Sequence, residues 1–118
     1  DLGIGSLAIH VSDSGTVSNV RFENIRVEDT RNRLVRLWIG KDMWGHDAER
    51  GHIRDILFRD VALVSGPFPA SDLVGCDDAH AIENVTFHRL RVRGQPIADP
   101  AAAKLSTRHA WNVRFISP

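Results

Sequence analysis

Val17-Ser-Asn-Val-Arg-Phe-Glu-Asn-Ile-Arg-Val27 decides how this chain is read, because its pattern returns three more times. Ile53-Arg-Asp-Ile-Leu-Phe-Arg-Asp-Val-Ala-Leu63, Ile82-Glu-Asn-Val-Thr-Phe-His-Arg-Leu-Arg-Val92 and Ala110-Trp-Asn-Val-Arg-Phe-Ile116 align with it on Phe22, Phe58, Phe87 and Phe115. The intervals between those phenylalanines are 36, 29 and 28 residues, periods at which repeat proteins place one structural unit. Within each unit Val, Ile and Phe alternate at period two, which describes a strand with one buried face and excludes a helix. Val20 and Phe22 obey that alternation, but the next apolar residues are Ile25 and Val27. The phase slips by one at Glu23-Asn24, and again at Arg59-Asp60 and His88-Arg89. Such a slip inverts every later side chain unless the backbone turns a corner, and Asn24 and Asp60 suit a corner because Asn and Asp tolerate left-handed backbone angles.

Working outward, the links between the repeats supply further strands. Ser6-Leu-Ala-Ile-His-Val11 and Leu34-Val-Arg-Leu-Trp-Ile39 alternate clearly, with Leu7, Ile9 and Val11, then Val35, Leu37 and Ile39, pointing inward. Ser71-Asp-Leu-Val-Gly-Cys76 and Ala103-Lys-Leu-Ser-Thr107 alternate less clearly. Short strands, fixed corners and a repeated period predict an all-β fold. The expected form is a right-handed parallel β-helix, a solenoid of about four coils with three short strands per coil. One domain over residues 1–118 follows from the length, and it reads as a truncated or partial solenoid. Gly40 to His52, between Ile39 and Ile53, is too polar and glycine-punctuated for a core strand and reads as a protruding loop.

Composition narrows the function classes. Apolar residues make up 42% and charged residues 25%, as in a globular domain, and no apolar run approaches the roughly 20 residues that span a bilayer. Fifteen basic and fifteen acidic side chains cancel, which removes the long-range attraction on which nucleic-acid binding depends. The expectation is no nucleic-acid and no membrane partner. One cysteine, Cys76, forms no internal disulfide and reads as a small buried residue. No zinc-ligand spacing, phosphate loop or Ser-His-Asp arrangement points to a metal or cofactor, and none is expected.

Gly5-Ser6 through Val11, Val17-Ser-Asn-Val, Asp29 to Trp38 and Gly51-His-Ile-Arg-Asp-Ile together resemble the C-terminal coils of polygalacturonase-like, family 28 glycoside hydrolases. The resemblance implies a polysaccharide-active, usually secreted or periplasmic parent; no signal peptide opens this chain, and its compartment stays open. That family is an inverting one, with a general acid and a general base set apart to admit water. Its Asn-x-Asp, Asp-Asp and Gly-His-Gly segments precede the Gly-Ser coil and are missing here, so no catalytic residue is assigned. Asp77-Asp78 imitates the pair two coils too late and reads as a turn. Arg36 matches a substrate-binding arginine of the family, while Trp38 stands where the family has a lysine. Losing that lysine favours a neutral glycan over pectate, and an exposed tryptophan offers a surface for a sugar face.

The candidate substrate-binding residues are therefore Arg36, Trp38 and His10 on one strand face, with Trp44 and His46 on the loop rim. For Arg36 and Trp38 a plain packing contact between arginine and tryptophan is the alternative reading. For the loop, a solvated polar segment is the alternative. Two functions follow. One is the C-terminal portion of a polysaccharide-active hydrolase, inactive alone but contributing binding surface; the other is a stand-alone glycan-binding or assembly module without catalysis. A polysaccharide or oligosaccharide is the expected partner. Unpaired strand edges at the ends of a short stack also predict a homo-oligomer.

Overall fold

In the computed structural model the described residues are 7–11, 15–30, 33–40 and 51–116. Ten strands follow in chain order: β1 (Leu7–Val11), β2 (Thr16–Val27), β3 (Val35–Ile39), β4 (His52–Leu63), β5 (Ser71–Val74), β6 (Ile82–His88), β7 (Arg91–Val92), β8 (Gln95–Pro96), β9 (Leu105–Arg108) and β10 (Ala110–Ile116). They form two sheets. The first has the order β1-β3-β5-β9, and the second runs β2-β4-β6-β10 with β7 and β8 attached beside β4. No helix occurs among the described residues.

The expected right-handed parallel β-helix with three short strands per coil is corrected by this arrangement. There are two sheets, one of four and one of six strands, facing each other across a single apolar core in a sandwich-like all-β layout. The second sheet is mixed, because β7 and β8 pair antiparallel across a two-residue turn at Arg93 and Gly94, both at positive φ. The physical reason lies in the corners. Asn24 and Asp60 have φ of 53° and 54°, and pairing between β2 and β4 resumes at Ile25↔Val61 immediately beyond them. Segments expected to be separate short strands thus join into bent strands of twelve residues.

Pairing between repeats follows the register seen in the sequence. Phe22 pairs with Phe58, Phe58 with Phe87 and Phe87 with Phe115. Their rings stack at centroid separations of 4.8, 4.8 and 4.7 Å, within 12° of parallel. Ile53, Ile56, Phe58, Val61 and Leu63 of β4 are all buried, as are Leu37 of β3 and Leu73 of β5 on the facing sheet. Burying such side chains is the main favourable term in folding, roughly 1.5–3 kcal/mol for each large aliphatic or aromatic group.

A second line of left-handed residues lies five positions before the first. Asn19, Asp55, Asn84 and Asn112 have φ between 54° and 57° and stand in corresponding positions on β2, β4, β6 and β10. The Asn112 amide donates to Asn84 Oδ1 at 2.6 Å, and the Asn84 amide donates to Asp55 Oδ1 at 3.1 Å. A hydrogen-bonded ladder thus ties adjacent strands at the bend, where side-chain amides tolerate the left-handed backbone.

Candidate functional site

Alternation along the first sheet sets the candidate surface. Leu37 and Ile39 of β3 are buried, so Arg36 and Trp38 take the opposite face. Parallel pairing then builds two outward rows across the sheet. Ala8, Arg36, Asp72 and Ser106 form one, and His10, Trp38, Val74 and Arg108 form the other. His10 and Trp38 pack edge to face, ring centroids 4.0 Å apart and planes at 70°. With Ile9 and Arg36 they line a pocket of about 120 Å³ whose walls are mostly apolar.

Three of the five residues singled out in the sequence are therefore neighbours. His10, Arg36 and Trp38 meet in one pocket, whereas Trp44 and His46 lie outside the described residues. Gly40 and Asp72 were not singled out, and both shape the surface. A Cβ at Gly40 would collide with the six-membered ring of Trp38, so the indole lies over a backbone that only glycine leaves clear. Asp72 sits between two cations: its Oδ1 is 3.6 Å from Arg36 Nε, and its Oδ2 is 3.6 Å from Arg33 Nε. The three side chains are 16%, 32% and 41% exposed respectively, so the carboxylate is the most enclosed member.

Two other polar groupings occur away from this face. The ladder side of the second sheet carries a groove of about 510 Å³ lined by Asn19, Arg21, Asp55, Leu57, Asn84, Thr86 and Arg114, among others. At the start of the second-sheet strands, His52 and His80 have ring centroids 5.4 Å apart. His109 Nδ1 is 3.1 Å from Asp78 Oδ1 nearby. Asp77 closes a turn there: its Oδ1 accepts from the Ala79 and His80 amides at 3.0 and 2.8 Å and lies 2.7 Å from His80 Nδ1. The hydrogen bond with His80 is the largest influence holding the Asp77 carboxyl below its ordinary value. Among the described residues no group of three or more His, Cys, Asp or Glu converges as a metal site would require.

The chain matches no known family model, no curated protein and no solved structure. An aromatic wall, a planar cation and an imidazole around a small, mainly apolar depression suit a ligand with one apolar face and an edge of hydroxyls. Among the described residues the pocket lining, Ile9, His10, Arg36 and Trp38, includes no carboxylate.

Proposed function

We propose that the outer face of the first sheet is a carbohydrate-binding surface in a polysaccharide-active protein resembling family 28 glycoside hydrolases, holding substrate without supplying catalytic carboxylates. The supporting observation is the convergence of His10, Arg36 and Trp38, from two adjacent strands, on one mostly apolar pocket. A pyranose presents C–H groups on its faces and hydroxyls around its rim. The Trp38 ring takes the C–H face, buried against His10, while the Arg36 guanidinium donates to rim hydroxyls in its fixed fork geometry.

Tryptophan emission titrated with neutral oligosaccharides tests this reading. Xylan, dextran and methyl-esterified galacturonan fragments are the probes. Saturable quenching by at least one of them is expected, weakened about threefold to tenfold in Trp38→Ala, the size of one aromatic contact. Absence of saturable binding to all three overturns the proposal.

A further inference from the structure

We infer that Asp72 tunes the charge preference of this surface, weakening the hold of Arg36 on an acidic glycan and shifting the balance toward an uncharged, hydroxyl-rich one. The inference rests on the carbohydrate-binding reading above and adds a residue that biases which sugars are accepted. Arg36 lines the pocket, and taken alone its guanidinium would attract a uronate carboxylate as readily as a hydroxyl. It is not alone. Asp72 is its register partner on the neighbouring strand, with Oδ1 3.6 Å from Arg36 Nε.

Three features define how the Asp72 carboxylate acts on its neighbour. Its side chain is only 16% exposed, so solvent screens it less than it screens Arg33 or Arg36. Its other oxygen lies 3.6 Å from Arg33 Nε, so the carboxylate is bracketed by two cations. Asp72 Oδ1 is buried and accepts no hydrogen bond among the described residues, the 3.6 Å separation exceeding the usual 2.7–3.2 Å. The carboxylate therefore acts on Arg36 through its field. A glycan carboxylate arriving at Arg36 meets that negative charge one strand away, while a hydroxyl does not. The shift toward a neutral ligand thus comes from a neighbour of Arg36.

The test compares galacturonan oligosaccharides of one length as free acids and as methyl esters, a pair differing only in charge. Asp72→Asn, which keeps the shape and removes the charge, is expected to move the acid-to-ester affinity ratio about tenfold toward the acid, the shift shrinking as salt rises. Arg33→Gln, which removes the cation on the far side of Asp72, is expected to move the ratio the opposite way. Asp55→Asn on the other sheet makes the same change in net charge at a position where asparagine suits the backbone, and should leave the ratio alone. Thermal melts of each variant establish that it is folded, and Arg33→Gln carries the test if Asp72→Asn is not. Wild-type chain that binds neither form sinks the carbohydrate reading and this inference with it. Wild-type binding whose ratio is unmoved by Asp72→Asn and Arg33→Gln overturns the inference alone.

Discussion

Asp60 and Arg89 show how one residue pair holds a bend in place. Both take left-handed backbone angles, φ 54° and 59°, although arginine has none of the local hydrogen bonding that eases asparagine into that region. Holding such a residue there costs on the order of 1–3 kcal/mol unless its surroundings over-determine it. Here Arg89 donates from Nη2 to Asp60 Oδ2 at 2.8 Å and from Nε to Oδ1, a two-point clamp between adjacent strands. The hydrogen bond from Arg89 is the largest influence lowering the Asp60 carboxyl from its ordinary 3.8, and Asp77 is lowered by His80. A carboxyl depressed in the folded state binds its proton more readily when unfolded. Its stabilisation is therefore complete above pH 3.8 and is lost as pH falls through the lower, folded value. Urea midpoints measured from pH 5 to pH 2 are expected to fall along an acid limb that Asp60→Asn flattens. A limb as steep in Asp60→Asn as in wild type would show that the clamp contributes nothing to acid stability. The corner itself was legible, because the three-residue interval from Phe22 to Ile25 breaks a period of two. An equal interval from Val17 to Val20 marks the Asn19 line, and it was visible in all four repeats. Alternation counted forward from Val20 passes over it.

At the scale of the strand, β3 carries the candidate site and shows what alternation reveals and what it hides. Its pattern, Val35, Leu37 and Ile39 in and Arg36 and Trp38 out, could be read from the chain alone. Asp72 could not, because Ser71-Asp-Leu-Val is a four-residue strand with two apolar residues, too short to fix its phase without its neighbours. Register supplies what composition lacks, placing Asp72 beside Arg36 and Leu73 beside Leu37. The three-strand coil failed for a related reason: hydrophobic spacing locates a bend, but the hydrogen-bond ladder decides whether the strand ends there, and here it continues. Gly40 is the element's other hidden contributor. Its amide donates to Val11 O at 3.0 Å, fixing the end of β3 against β1 directly beneath the Trp38 ring. Gly40→Ala is expected to displace the indole, shift the tryptophan emission maximum and weaken glycan binding about as much as Trp38→Ala, with the fold retained in circular dichroism. Emission and affinity unchanged from wild type would show that the indole position does not depend on the glycine.

The two edges of the whole molecule are unlike its middle. Phe58 and Phe87 are buried, whereas Phe22 on β2 and Phe115 on β10 are only half-buried, and Trp111 and Ile116 are 50% and 43% exposed. Among the described residues, β2 and β10 each pair on one side only. Edges of this kind invite another strand, and proteins guard them with charge. Extending the observed registers by one strand shows that guard. A β10 set beside the β2 of a second copy matches Val113 with Val20 and Phe115 with Phe22, but it also sets Arg114 against Arg21. The apolar rows favour stacking and the cationic rows oppose it, so a homo-oligomer formed through these edges is governed by ionic strength. Light scattering is expected to give a mass near the 13.1 kDa of one chain at low salt and a rising mass as salt shortens the reach of the arginines. Arg114→Glu, which places a carboxylate opposite Arg21, is expected to bring association down to low salt. A mass that stays at one chain in both proteins at every salt concentration would mean that the apolar rows at these edges do not drive association.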